Sequence, residues 1–144
     1  MDKDEERIAQ EAQQKLALLQ QLQSEAEEIQ RKIFEVDVVQ AEIDRTIETL
    51  EYFEKVEDDV DALINLGSGV FAYVDIKNSK KMLVDVGAGA VIEREVSEVL
   101  DILKKRKESI QKGKDRYIQL LEGVYSQARQ LQKEIAELSS QLKE

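Results

Sequence analysis

The sequence predicts an α+β, mostly helical fold: a long antiparallel two-helix coiled coil with two β-hairpins inserted between the helices. Two observations predict it. Apolar residues recur at alternating spacings of four and three in both outer parts of the chain, as they do in coiled coils. The middle part alternates with period two and repeats a Gly-x-Gly turn, which is typical of β-hairpins. We expect one structural domain: an N-terminal coiled-coil helix at residues 1–56, a two-hairpin oligomerisation insert at 57–95 and a C-terminal coiled-coil helix at 96–144.

Each predicted helix carries a long apolar seam. From Ile8 to Glu54, eleven of the fourteen seam positions are apolar, and no glycine or proline interrupts them. From Val96 to Leu142, twelve of fourteen are apolar. Because one amphipathic helix cannot bury such a stripe alone, we expect the two helices to pair with each other.

The charge distribution favours an antiparallel pairing of the helices. Residues 1–56 carry a net charge of −8 and residues 96–144 a net charge of +2, within a chain whose total is −10. If Val56 lies opposite Val96, position i faces roughly position 152 − i. The basic stretch at residues 104–116 then lies opposite acidic residues at positions 35–48, so opposite charges are expected to meet.

The middle segment contains an internal repeat, because residues 63–69 and 83–89 share one pattern twenty residues apart. Each copy is an apolar strand, a Gly-x-Gly turn and a second strand, and the polar turn at residues 77–80 joins the two hairpins. The turn glycines are Gly67, Gly69, Gly87 and Gly89. The even-numbered strand positions are all apolar, so we expect one face to be fully buried and the other partly buried.

Isolated hairpins would leave strand edges and apolar area in water, so we expect several subunits to join through them. The residues expected to make this oligomerisation surface are Leu63, Ile64, Leu66, Val70, Phe71, Val74, Leu83, Val84, Val86, Val91 and Ile92.

The doubled strand–Gly-x-Gly–strand motif between two coiled-coil helices resembles the prefoldin family, and specifically its α-class subunits, over essentially the whole chain. Family members often have a proline in the first motif, where this chain has Asn65. The resemblance implies an ATP-independent chaperone, a hexamer of two α-type and four β-type subunits whose hairpins form a double β-barrel platform. Its coiled coils are implied to hold unfolded polypeptides at their distal tips and to deliver them to a group II chaperonin.

A holding chaperone needs apolar side chains that are incompletely buried, because unfolded clients expose apolar segments. The candidate client-binding residues at the distal tips are Ile8, Ala12, Leu16, Leu18, Leu19, Leu131, Ile135, Ala136, Leu138 and Leu142. Leu16 and Leu18 fall off the seam, so they point to this role more directly. The alternative interpretation is that the seam residues in this set simply close the coiled coil.

Composition argues against other function classes. The chain has no Cys, His, Pro or Trp, and its Gly-x-Gly elements lack the third glycine of a nucleotide fingerprint, so we expect no catalytic residue, metal or cofactor and no enzyme activity. Its acidity argues against nucleic acid as a partner. The longest uncharged run, residues 62–74, is too short to span a membrane and no signal peptide is evident, so we expect a cytoplasmic protein without membrane contact.

Two alternative functions remain open at this point. The first is a structural subunit that self-assembles through its hairpins into a filament. The second is a coiled-coil tether for folded partners. The mass of the chain alone and with a β-type subunit separates the filament from the hexamer, and assays of client aggregation separate the chaperone from the tether.

Overall fold

The structure is a computed structural model and describes residues 2–143. Its elements in chain order are α1 (Lys3–Lys55), β1 (Val60–Gly67), β2 (Val70–Ile76), β3 (Lys81–Gly87), β4 (Ala90–Glu95) and α2 (Val96–Lys143). Strands β1 and β2 form hairpin 1, and strands β3 and β4 form hairpin 2. The predicted fold class, two long helices with two antiparallel hairpins between them, is confirmed.

The chain divides into two units. The first, called the helical unit, combines Met1–Val38 with Gln111–Glu144. The second, called the hairpin unit, is Val39–Ile110 and contains both hairpins with the adjoining parts of both helices.

Helix α1 begins in the helical unit with a side-chain cap. The carboxylate Oδ1 of Asp2 accepts the backbone N–H of Glu5 at 2.7 Å, which satisfies one of the N–H groups that a helix start leaves without a partner. Asp4, Glu5 and Glu6 occupy the first turn, where negative charge interacts favourably with the helix dipole.

The predicted seam is buried in the helical unit. Leu19, Leu22 and Ala26 are buried, and the seam positions on both sides of them are half-buried. Two ion pairs join the antiparallel helices there: Lys15 Nζ lies 2.9 Å from Glu134 Oε2, and Lys114 Nζ lies 2.5 Å from Asp37 Oδ1. Their residue numbers sum to 149 and 151, close to the 152 that the sequence predicts.

The predicted charge pairing is only partly realised. In the hairpin unit, Lys107 Nζ lies 2.6 Å from Asp44 Oδ1, again with residue numbers that sum to 151. Of the seven basic residues between positions 104 and 116, ion pairs form at Lys107 and Lys114 within the part of the chain that is described. Both occupy seam positions, where a lysine reaches the facing helix; the other side chains lie on exposed faces.

The two hairpins have the same turn geometry. In hairpin 1, Ser68 and Gly69 both have positive φ, at 52° and 77°, as a type I′ turn requires. Gly67 pairs with Val70 across a bulge, and its N–H is held by the side-chain oxygen of Asn65 at 2.8 Å. Hairpin 2 repeats this geometry at positions 85–90.

The core of the hairpin unit lies between hairpin 2 and the two helices. It consists of buried apolar residues from α1, β3 and α2: Leu50, Val84, Val96, Val99, Leu100 and Leu103. Met82 and Ile92 of hairpin 2 pack against this core together with Ile43 and Ile47 of α1. The central part of the even-numbered face of hairpin 2, at Met82, Val84 and Ile92, therefore packs on the helices.

The expectation of a fully buried even-numbered face is wrong for hairpin 1 in the single chain. Ile64 is 44% exposed, Leu66 is 63% exposed and Val70 is also exposed. The physical reason is that this face does not contribute to the buried core that hairpin 2 completes with the helices. Even in hairpin 2, the tip residue Val86 remains exposed.

Candidate functional site

The predicted client-binding residues lie in the helical unit and differ in accessibility. Leu16 and Leu18 are 47% and 46% exposed, which agrees with their positions off the seam. Leu142 and Ala136 are exposed as well, whereas Leu19 is buried. The remaining candidates are half-buried in the seam: Ile8, Ala12, Leu131, Ile135 and Leu138. A client can therefore reach Leu16 and Leu18 without any opening of the helix pair.

An ion pair lies among these candidates. Lys15 donates a hydrogen bond to Glu134 at 2.9 Å and also lies 3.5 Å from Glu11. The hydrogen bond with Glu134 is the main cause that raises the pKa of Lys15, and the same hydrogen bond lowers the pKa of Glu134. A polar seam position is thereby satisfied, which links the two helices next to Leu16.

The seam also contains a layer of small residues. Ala26 and Ala128 line a groove of about 320 Å³ together with Leu22 and Val124. At the edge of this groove Gln30 donates a hydrogen bond to the hydroxyl of Tyr125. Ala26 is as buried as Leu22, with 6% of each residue exposed, so the small side chain does not open the seam here.

Sequence reasoning missed a second group of accessible apolar side chains in the helical unit. Phe34 is 68% exposed, and Val38 and Leu120 are also exposed. They lie off the seam, as Leu16 and Leu18 do, so the same criterion applied along the whole helix finds them. Phe34 and Val38 are one turn apart on α1 and therefore lie on one face of it.

The predicted oligomerisation residues are largely accessible in the hairpin unit. On the odd-numbered positions Leu63, Phe71, Leu83 and Val91 are exposed, and on the even-numbered positions Ile64, Leu66, Val70 and Val86 are exposed. Val74 and Ile92 are half-buried and Val84 is buried. Each hairpin is a separate two-stranded sheet, so every strand has one edge without a neighbouring strand in residues 2–143.

A groove lies beside the tip of hairpin 2. It has a volume of about 700 Å³, and its apolar lining comes from Val39, Ile43, Val86, Ile102 and Ile110. Three polar residues also line it: Lys105, Arg106 and Ser109. Arg106 donates a hydrogen bond to the backbone carbonyl of Asp85, which holds the guanidinium next to the hairpin tip.

No group of three or more His, Cys, Asp or Glu side chains in residues 2–143 could hold a metal ion. None of the helices described here combines the length and apolar character needed to cross a bilayer.

Comparison with known proteins agrees with this architecture. Residues 22–141 match the prefoldin subunit family. The chain is 50% identical over 126 residues to prefoldin subunit alpha of Archaeoglobus fulgidus, covering 88% of this chain and 92% of that protein. It is 31% identical over 110 residues to prefoldin subunit alpha of Thermofilum pendens, covering 76% and 85% of the two chains. A filamentous PFD from Methanocaldococcus jannaschii, solved by cryo-EM, shares the fold with a TM-score of 0.70 and 17% identity, covering 80% of this chain and 95% of that one. The chain is a member of the prefoldin family.

Proposed function

We propose that this protein is the α-type subunit of an ATP-independent chaperone that holds unfolded polypeptides and delivers them to a group II chaperonin. The observation that carries the proposal is the exposure of Leu16 and Leu18 beside seam positions that are half-buried or buried, at Lys15 and Leu19. Two exposed leucines on a charged helix offer apolar area to a client before any helix opens. Its proposed location is the cytoplasm, and neither nucleic acid nor a membrane takes part.

Holding of this kind requires only apolar contact. Full burial of a leucine side chain contributes about 1.5–3 kcal/mol, so the two half-exposed leucines of one subunit give weak and reversible binding. Several subunits that act on one client raise the overall affinity, because later contacts form at a high effective concentration. Release to a chaperonin then needs no chemical energy from this chain.

Assembly with β-type subunits through the hairpins is the second part of the proposal, with two α-type and four β-type subunits expected. It is supported by the exposed apolar faces of the hairpins and by strand edges that lack a neighbour in the described chain. Edge strands with exposed apolar faces are typical of surfaces that pair with another chain.

The client test uses the double substitution Leu16→Ser and Leu18→Ser. Both side chains are exposed, so the helix pair should keep its stability while suppression of client aggregation falls. The double substitution Gln13→Ser and Gln20→Ser is the matched control, since both side chains are exposed on the same part of α1 but offer a client no apolar area. Suppression that is equal in all three proteins would reject Leu16 and Leu18 as client contacts.

A self-assembling filament subunit is the second candidate function. It is favoured by the accessible hairpin faces, which a second copy of the chain could also bind. Light scattering of the chain alone and mixed with a β-type subunit decides between the two. A polymer that grows with concentration and ignores the β-type subunit favours the filament, whereas conversion to a defined hetero-oligomer favours the chaperone.

A coiled-coil tether is distinguished from a chaperone by the folding state of the protein that it binds. A tether binds a folded partner and does not discriminate in favour of unfolded chains. Binding of an unfolded client in preference to the same protein in its folded form therefore supports the chaperone, and equal binding supports the tether.

A further inference from the structure

Leu16 and Phe34 lie on the same side of helix α1 in the helical unit. They are 18 residues apart, which is five full turns at about 3.6 residues per turn, so the two side chains project in nearly the same direction. Leu16 is 47% exposed and Phe34 is 68% exposed, and Val38 one turn further along is exposed as well. This side of α1 therefore carries apolar side chains at two places that lie about 27 Å apart along the helix.

The residues between these two places are polar and mostly uncharged. Steps of four and three residues from Leu16 to Phe34 pass through exposed polar positions: Gln20, Gln23, Glu27 and Gln30. Gln23, Glu27 and Gln30 also line the groove of about 320 Å³ that contains the alanine layer. The groove therefore lies between the two apolar places, on the same side of the helix.

Such a surface suits an extended polypeptide segment. The amide of a glutamine side chain has both donors and an acceptor, so Gln23 and Gln30 can bond the backbone N–H and C=O groups of any sequence. An extended chain advances about 3.3 Å per residue, so about eight residues cover the distance from Leu16 to Phe34. Alternate side chains of an extended chain point to the same side, so two residues about eight positions apart can contact both apolar places at once.

The apolar area at Phe34 and Val38 is too small to hold a folded partner. A fully buried aromatic side chain covers about 150–250 Å², so these two partly exposed residues together offer roughly 200 Å². A stable interface between folded proteins needs about 800 Å² from each partner. A flexible segment that is already held at Leu16 can use so small a contact, because the second contact forms at a high effective concentration. The occupant that fits is therefore an unfolded chain.

We infer that Leu16, the groove and Phe34 with Val38 form one track on α1, which holds an extended segment of an unfolded polypeptide. The inference rests on the proposed function and names the kind of client segment that the subunit holds: an extended chain with two apolar residues about eight positions apart. It adds Phe34 and Val38 to the client contacts, about 27 Å along the helix from Leu16.

The first test measures whether the spacing of apolar residues in a client matters. The probes are two short fluorescein-labelled peptides of Ser, Thr and Gln with two leucines each, about eight positions apart in one and about two in the other. Fluorescence anisotropy with the full chain and a β-type subunit should show about tenfold tighter binding of the widely spaced peptide, which reaches both apolar places. Phe34→Ser with Val38→Ser should remove this preference.

Glu28→Ser with Lys32→Ser is the matched control for this double substitution. Both side chains are exposed and lie one turn apart on a different side of α1, and their removal leaves the net charge unchanged. The control protein should keep the preference for the widely spaced peptide.

Photo-cross-linking locates the bound segment, and the absence of cysteine from the natural chain allows a label at a single position. Phe34→Cys labelled with benzophenone maleimide should cross-link to an unfolded client about tenfold more than Lys32→Cys with the same label, because Lys32 lies on nearly the opposite side of α1. Circular dichroism should show the same helix content in all variants. Equal binding of the two peptides by the natural chain, or cross-linking from position 34 to a subunit in place of the client, would overturn the inference.

Suppression of client aggregation separates this inference from the proposed function. If the natural protein with a β-type subunit suppresses aggregation but binds the two peptides equally, the track is wrong and the chaperone proposal stands. If the widely spaced peptide is preferred through Phe34 but no condition gives suppression, the track stands and the proposed function is wrong.

Discussion

Lys80 Nζ donates hydrogen bonds to the backbone carbonyls of Phe53 at 2.9 Å and of Glu54 at 2.6 Å. These carbonyls belong to the last turn of α1, where no intrahelical N–H is available to them. The backbone carbonyl of Lys80 also accepts the N–H of Val96 at 2.8 Å, at the first residue of α2. One residue between the two hairpins therefore links the end of one helix to the start of the other.

Lys80→Met should lower the free energy of unfolding by about 1–2 kcal/mol, because it removes two charge-assisted hydrogen bonds and the favourable interaction of a cation with a helix C-terminus. Denaturation by urea measures this loss. Lys77→Met is the control, since Lys77 is an exposed lysine in the same connection, and its effect should stay within about 0.5 kcal/mol. Equal losses for the two variants would contradict the role of Lys80 in holding α1.

The different burial of the two hairpins predicts different costs for equivalent substitutions. Val84→Ala should destabilise the dilute single chain by about 1.5–3 kcal/mol, because it removes buried methyl groups from the core and leaves a cavity. Ile64→Ala removes more carbon atoms but from an exposed side chain, so it should cost less than about 1 kcal/mol. Thermal unfolding of both variants at low protein concentration checks this order, and a larger loss for Ile64→Ala would show that the face of hairpin 1 is covered.

The Lys15–Glu134 hydrogen bond predicts that the stability of the folded chain falls at both acid and alkaline pH. The pKa of Glu134 is below its usual value of 4.5, so its contribution to stability is present above pH 4.5 and is lost as the pH falls through the lowered value. The pKa of Lys15 is above its usual value of 10.5, so its contribution is present below pH 10.5 and is lost as the pH rises through the raised value.

Thermal unfolding across the acid range checks the Glu134 limit. Glu134→Gln should lower the melting temperature at neutral pH, and the difference from the natural protein should shrink as the solution is acidified. Glu137→Gln is the control, since Glu137 is an exposed carboxylate one turn away on α2. A difference between Glu134→Gln and the natural protein that stays constant with pH would count against the ion pair.

Gly123 lies in α2 at an exposed position where an added Cβ would meet nothing within 4 Å. Gly123→Ala should therefore stabilise the protein by about 0.5–1 kcal/mol, since alanine loses less backbone freedom on folding. Gly89→Ala should have the opposite sign, because Gly89 has a φ of 76° that alanine adopts only at a cost of about 1 kcal/mol. Urea denaturation of the two variants gives the signs directly, and destabilisation by Gly123→Ala would point to a required bend in α2.

Much of the fold was predictable because its signals are local. The period of the seam predicts which side of each helix is covered, and Leu19, Leu22 and Leu50 are indeed buried. The turn geometry follows from Gly67 and Gly69, which take up the positive φ values that a tight hairpin needs. The exposure of Leu16 and Leu18 follows from the sequence for the same reason, since a residue off the seam of a helix pair lies towards solvent.

Other features depend on contacts between residues distant in sequence, and the sequence pattern does not contain them. Nothing in the polar turn around Lys80 indicates that its side chain reaches the end of α1, because that contact spans 26 and 27 residues. The basic stretch on α2 was predicted to lie opposite acidic residues of α1. In the described chain Lys107 and Lys114, which occupy seam positions, form ion pairs with Asp44 and Asp37.

The sequence by itself determined the secondary structure of this protein, the helix seam and the two hairpin turns, since each follows from periodicity or from backbone preferences within a few residues. Only the tertiary structure decided which hairpin covers the helices. Ile64 and Val84 occupy equivalent positions in the repeat, yet Val84 is buried and Ile64 is exposed. The reason is that the two helices form one core and hairpin 2 covers it, which leaves the apolar face of hairpin 1 accessible to another subunit.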